Sequence, residues 1–192
     1  VLSYLSDAQA RVRIFELDGK TQGDVQLPGV GSVRGFDGRA DNPETFFSFT
    51  GFTTPTTIYR YDSVSGDVGL WKQPEVAFTP EDYETRQVFY TSKDGTKVPM
   101  FITHRKGLAL DGARPTLLYG YGGFSISITP RFSVANLVWM EMGGVYAVAN
   151  IRGGGEYGEA WHEAGIKEKK QNVFDDFISA AQWLSAEGYT RP

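Results

Sequence analysis

The residues best suited by type and spacing to do chemistry are Tyr121 and Phe124, in the stretch Leu117-Leu118-Tyr119-Gly120-Tyr121-Gly122-Gly123-Phe124. The apolar run from Pro115 to Tyr119, bounded by Pro and Gly, reads as a short buried strand. The glycines after it allow positive φ and close approach of backbone or ligand. Loops at the C-terminal ends of parallel strands are where α/β proteins place their sites. A phenol there is a hydrogen-bond donor at the rim of a site, with the Phe124 ring close by. The same spacing equally fits a tight turn packed by aromatics.

Other groups are weaker candidates. Gly153-Gly154-Gly155-Glu156-Tyr157-Gly158 fits the G-x-G-x-x-G outline of a nucleotide-binding loop directly after an apolar run. Against that reading, Glu156 puts a carboxylate where a pyrophosphate would sit, and Tyr157-Gly158-Glu159 is a poor helix start. The acids about twenty residues on, Asp175 and Asp176, open a helix instead of closing a strand. The two histidines, His104 and His162, read as structural; His162-Glu163 lacks the second histidine that a zinc helix requires. Gly123-Phe124-Ser125 matches only the first half of the nucleophile elbow G-x-S-x-G. Lys167-Glu168-Lys169-Lys170 reads as a solvated face. Without cysteine, thiolate chemistry, disulfides and cysteine-based zinc sites are excluded, and no metal or cofactor is expected.

Several elements must position these residues. Tyr83 to Tyr90 and Val98 to His104 alternate around Ser92-Lys93-Asp94-Gly95-Thr96, which predicts a hairpin. After the strand at 115, Phe132, Ala135, Val138, Trp139 and Met142 recur at helical spacing, and Gly143-Gly144 ends that helix. Val145 to Ile151 reads as a second buried strand, completing a β-α-β unit. A last helix is expected over Asn172 to Glu187. Asn172 is its expected N-cap, Asp175 and Asp176 lie near its positive end, and Phe174, Phe177, Ala181 and Leu184 form its apolar face. Gly188 is its left-handed cap. The fold class is therefore α/β, entered through antiparallel strands.

The first seventy residues have another character. Arg11 to Gly19 and Ile58 to Ser63 both alternate and then turn, with Ile14 and Ile58, and Asp18 and Asp62, at a common spacing. Gly23-Asp24-Val25 recurs as Gly66-Asp67-Val68. A period of roughly 40–45 residues is that of a β-propeller blade; a small β-sandwich is the alternative. Phe46 to Phe52 is apolar on both faces, as in an inner strand. Prolines and charges from Lys72 to Asp82 put a boundary near residue 75. The expected domains are thus 1–74, the C-terminal blades of a propeller, and 75–192, the α/β part. Both ends look cut, so a piece of a larger protein is expected.

Hydrophobic residues make up 41% of the 192, the net charge is −4 and the pI is near 5.2. That composition supports a packed core and carries no basic footprint for nucleic acid or an anionic membrane. No apolar run reaches the ~18 residues of a membrane span, and the N-terminus lacks a secretory pattern. A cytoplasmic location is expected.

Taken together, Leu118 to Phe124 with Ile126-Ser127-Ile128-Thr129-Pro130, and Ala149-Asn150-Ile151-Arg152-Gly153-Gly154-Gly155-Glu156-Tyr157-Gly158, resemble the prolyl oligopeptidase family. So do Lys170-Gln171-Asn172, Phe174-Asp175-Asp176-Phe177, Ser92 to Thr96 and Pro99-Met100-Phe101. The resemblance implies a serine peptidase with an α/β-hydrolase domain capped by a propeller, cleaving short peptides after proline. It implies that this chain is the last propeller strands followed by the N-terminal part of the hydrolase domain, from a monomeric parent. Tyr121 matches the family tyrosine that helps form the oxyanion hole, and Phe124 an aromatic of the proline pocket. The family's serine, aspartate and histidine follow the point where this chain stops, so the chain alone is expected to be inactive. A nucleotide-binding module built on Gly153–Gly158, or a non-catalytic interaction fragment, are the rival expectations.

Overall fold

A computed structural model describes residues 1–39 and 41–192. They form two units, one of residues 1–78 with 129–133, the other of 79–128 with 134–192.

The first unit is all antiparallel. Strands β1 (Leu2–Ser6), β2 (Gln9–Phe15) and β3 (Thr21–Asp24) form one meander. Strands β4 (Ser32–Asp37), β5 (Glu44–Thr50), β6 (Thr57–Asp62) and β7 (Val68–Lys72) form a second, in the order β4-β5-β6-β7. Both sheets feed one core of Val12, Val25, Phe47, Phe49 and Tyr61. Phe36 stacks on Phe47 at 4.6 Å between ring centroids, and Phe47 on Tyr59 at 5.4 Å. The apolar reading of Phe46 to Phe52 thus corresponds to an interior strand.

Two similar hairpins, β2–β3 and β6–β7, are present, but the sequence echo does not align them. Glu16 and Asp62 occupy equivalent corners: each N–H donates across its hairpin, to Lys20 O at 2.8 Å and Asp67 O at 3.0 Å. Asp18 instead lies within the turn, accepting the Lys20 N–H at 2.9 Å. Gly23 is inside β3, opposite Ile14, whereas Gly66 is in the turn before β7. The Gly-Asp-Val echo therefore joins non-equivalent positions.

The second unit is a mixed sheet with the order β10-β11-β9-β8. Strands β8 (Tyr83–Thr91) and β9 (Lys97–Arg105) are the expected hairpin, Thr91 facing Lys97. The turn between them is closed by the Ser92 N–H donating to Thr96 O at 2.8 Å, with Gly95 at φ 89°. Strand β10 (Thr116–Tyr119) runs parallel to β11 (Val145–Ala149), Thr116 opposite Val145 and Tyr119 opposite Val148. All five residues of β11 are buried, as befits a central strand covered on both faces. Helix α1 (Val134–Glu141) lies between β10 and β11 in sequence, and two further helices follow, α2 (Glu159–Glu163) and α3 (Gln171–Ala186). The main core joins Tyr90, Met100, Ile102, Ala147 and Ile151 of the sheet to Val173, Ala180 and Leu184 of α3.

Four local expectations need correction. Asn172 is not the N-cap; α3 starts one residue earlier, and the Asn172 amide donates to Ala164 O at 2.9 Å. The buried face of α3 is Val173, Asp176, Ala180 and Leu184, while Phe174 is 53% exposed and Ala181 is exposed. In α1 the buried residues are Leu137 and Met140, and Val138 and Met142 face outward. Tyr157-Gly158-Glu159 does precede a helix, the short α2.

Candidate active site

Parallel pairing of β10 and β11 puts their C-terminal loops side by side. The first runs from Gly120 to Ser127, the second from Asn150 to Gly158. Glycine makes this contact possible. A Cβ on Gly122 would lie 2.6 Å from Val173 Cγ1 and 2.7 Å from Arg152 O, and one on Gly153 would lie 2.5 Å from Gly122 O. Gly155 in turn backs onto the Ser125 carbonyl. Gly153 and Gly155, the first two glycines of the G-x-G-x-x-G stretch, thus face backbone of residues 122–127, where a pyrophosphate would have to lie, while Gly158 faces open space.

A buried ion pair anchors the second loop. The Arg152 guanidinium donates to Asp176, from Nε at 2.9 Å and from Nη2 at 2.6 Å, and from Nη1 to Asp94 at 2.6 Å. The Arg152 backbone N–H also donates to Asp176, at 3.0 Å, and Ser92 Oγ donates to the same carboxylate at 2.5 Å. Asp176 is wholly buried and Arg152 is 4% exposed. A charge pair this deep is tolerated only when its hydrogen bonds are this complete. Bonding to Arg152 holds the Asp94 carboxyl down to about 2, and the Asp176 and Asp94 carboxylates push the Arg152 guanidinium further up. The sequence places Asp176 near the positive end of a helix and Asp94 in a turn, and does not join either to Arg152. The signal for it was a lone charge, Arg152, directly after the uncharged run Val145 to Ile151.

A second buried group fixes the end of the first loop. The Asn150 amide donates to Ile128 O at 2.6 Å, and Glu156 Oε1 accepts the Ile128 N–H at 2.9 Å. Glu156 is 6% exposed. Desolvation pushes its carboxyl up, against the pull of the Ile128 N–H.

Within this frame the two expected site residues stand out in solvent. Tyr121 is 43% exposed and Phe124 is 83% exposed. The Tyr121 ring passes over Gly123, where a Cβ would lie 3.7 Å from Tyr121 Cε1. Phe124 and Ser125 both adopt left-handed backbone, at φ 51° and 55°. That conformation costs a non-glycine residue ~1–2 kcal/mol, and such strain concentrates at functional positions. Phe124 lines an open cleft of about 520 Å³ with Ser125, Glu159, His162, Ile166 and Lys170. Tyr121 does not line that cleft.

The histidines have distinct surroundings. His104 is buried in β9, with Nδ1 2.8 Å from Arg105 O. His162, on α2, has Nδ1 2.7 Å from Gly153 O and 3.1 Å from the Ser125 N–H. Lys170, read from sequence as part of a solvated face, donates to Gly122 O at 2.9 Å. Among the described residues no group of three or more His, Asp or Glu side chains could hold a metal, and no helix is long and apolar enough to cross a membrane.

This architecture has close counterparts. Residues 1–74 match the sequence model of the N-terminal β-propeller domain of prolyl oligopeptidase, and residues 130–192 match that of the prolyl oligopeptidase family. The prolyl endopeptidase of Elizabethkingia miricola is 50% identical over 188 residues, which cover 98% of this chain and 27% of that protein. The prolyl endopeptidase of Dictyostelium discoideum is 44% identical, over 98% of this chain and 25% of its own length. A solved prolyl endopeptidase, from a study of inter-domain dynamics in catalysis and specificity, superposes with a TM-score of 0.92 at 53% identity, covering 100% of this chain and 28% of the other. Prolyl oligopeptidase B of Galerina marginata, bound to a 25-residue macrocyclization substrate, superposes at 0.91 with 38% identity, over 99% of this chain and 27% of its own. The chain thus spans about a quarter of the length of the relatives it matches. Its antiparallel unit consists of β-propeller strands and its mixed sheet is the N-terminal part of an α/β-hydrolase domain: the chain belongs to the prolyl oligopeptidase family.

Proposed function

We propose that this chain is part of a longer serine peptidase that hydrolyses short peptides on the carboxyl side of proline through an acyl-enzyme. In this reading residues 1–74 are C-terminal propeller blades and residues 75–192 begin the hydrolase domain. The parent is a cytoplasmic monomer whose nucleophile, base and orienting acid lie outside these 192 residues. The chain by itself then turns over no substrate, because no transition-state donor acts without a nucleophile to generate the charge.

The observation that carries the reading is a half-exposed phenol, Tyr121, two residues beyond the C-terminal end of a parallel strand. There a phenol O–H can donate to a developing oxyanion. A preorganised donor of this kind contributes ~3–4 kcal/mol to the barrier, by analogy with other oxyanion holes. Phe124 supplies an apolar ring for the pyrrolidine, and its strained, solvent-facing conformation is what a ring waiting for a partner has.

The test is Tyr121→Phe in the full-length enzyme, assayed on a proline-containing peptide. We expect kcat to fall by roughly 100- to 1,000-fold, with KM within about twofold of the parent. An unchanged kcat removes Tyr121 from the oxyanion role.

A further inference from the structure

We infer that His162 is a positioning residue that holds Phe124 in its exposed, left-handed conformation through a hydrogen bond from Nδ1–H. The inference rests on the proposed substrate role of Phe124.

The geometry fixes which ring nitrogen carries the proton. Nδ1 lies 2.7 Å from Gly153 O. Two lone pairs do not approach that closely, so Nδ1 bears hydrogen and donates. The Ser125 N–H lies between the same oxygen, 3.2 Å away, and Nδ1 itself, 3.1 Å away; with Nδ1 protonated, the oxygen is its acceptor. Imidazole and amide thus converge on one carbonyl. That carbonyl is itself held from both sides: Gly153 N–H donates to Trp161 O at 3.0 Å, and the Gly153 Cα packs against Gly122. Gly153 and the Trp161-His162 step of α2 are therefore bonded in both directions. Ser125 is tied into the same knot.

Phe124 is the residue this knot controls. It precedes Ser125, and neither residue is of a type that occupies φ near +50° without cost. Apart from the Ser125 bond, the corner is closed by the Ile126 N–H donating to Gly123 O at 3.0 Å. Remove the His162 donor and one of two restraints weakens at a strained position. The backbone relaxes and the ring swings from its place. The imidazole also lines the cleft beside Phe124. Tyr121 lies on the other side of Gly122 and Gly123, and Gly122 has its own restraint in Lys170. The effect should therefore fall on substrate binding more than on the chemical step.

The test uses the full-length enzyme and two replacements. In His162→Asn the side-chain amide nitrogen takes the place of Nδ1; in His162→Gln it takes the place of Nε2. We expect His162→Gln to raise KM for a proline peptide about tenfold with kcat within about twofold, and His162→Asn to restore KM to within about twofold. In a Phe124→Ala background His162→Gln should add nothing further. Hydrogen exchange should find the Ser125 amide protected in the parent and in His162→Asn, and fast in His162→Gln. Equal effects of Asn and Gln, additivity with Phe124→Ala, or an unprotected Ser125 amide in the parent would each overturn the inference. A Phe124→Ala variant with unchanged KM overturns the substrate role of Phe124. A raised KM there, with none in His162→Gln, overturns the role of His162 alone.

Discussion

Two carboxyl groups behind the site respond to pH with opposite signs. Asp94, held at about 2 by Arg152, is an acid whose folded value is depressed. Its contribution is complete above the unfolded value of about 4 and is lost as pH falls through about 2. Glu156 is an acid whose folded value is raised by burial. Its ionisation opposes folding, so stability declines as pH rises from the ordinary glutamate value toward the raised one. Urea midpoints followed against pH should show Asp94→Asn flattening the acid limb between about pH 4 and 2. Glu156→Gln keeps an oxygen for the Ile128 N–H and should be no less stable than the parent at neutral pH. A Glu156→Gln protein that is markedly weaker at pH 7 would show that the ionised form is the favoured one. At the centre of the network the stakes are larger. Asp176→Ala leaves Arg152 without its buried partner and should cost ~3–5 kcal/mol in urea unfolding.

Among the elements, glycine separates packing cost from backbone cost. Gly122 and Gly158 both have positive φ, 61° and 77°. A methyl on Gly122 meets Val173 and the Arg152 carbonyl, whereas one on Gly158 meets nothing within 4 Å. Gly158, at φ 77° and ψ −158°, sits in a region open essentially to glycine, so Gly158→Ala should lose ~1–3 kcal/mol with no packing cost, and Gly122→Ala should lose ~1–3 kcal/mol of overpacking on top of its own backbone cost. A Gly122→Ala loss below ~1 kcal/mol would mean that the two loops do not meet as described. The strands themselves were legible from the chain: β10, β11 and the β8–β9 hairpin follow from apolar runs and an Asp-Gly turn. Tyr121 and Phe124 were legible as an aromatic pair on a glycine hinge. The face of α3 was not, for a physical reason. Its buried centre is Asp176, and counting apolar residues turns the helix away from a carboxylate, toward Phe174 and Ala181. The buried pair also hid itself, since nothing local joins Arg152 to residues 24 and 58 positions away. In α1 the residues are apolar nearly all round, so spacing alone could not select Leu137 and Met140.

For the molecule as a whole, the sheet of the second unit ends in β10, whose outer edge carries no strand among the described residues. Leu117 and Tyr119 on it are 44% and 43% exposed. An open parallel edge with apolar side chains is a template for another chain. The 192-residue chain should sediment with a concentration-dependent mass, and Leu117→Lys with Tyr119→Lys should reduce it. Concentration-independent behaviour would mean that the edge is inert. The path of the chain matters as much as its edges. After Ile128 it leaves the second unit for five residues, and there Ser32 Oγ donates to Pro130 O at 2.8 Å while the Phe132 N–H donates to Thr50 Oγ1 at 3.3 Å. Anyone cloning the propeller strands alone, with a stop codon after Phe78, would discard these partners and leave two hydroxyls and the Phe78 ring without the peptide they rest on. The chain changes units three times, so a protease nicking it once, anywhere, would still leave a covalent tether between them.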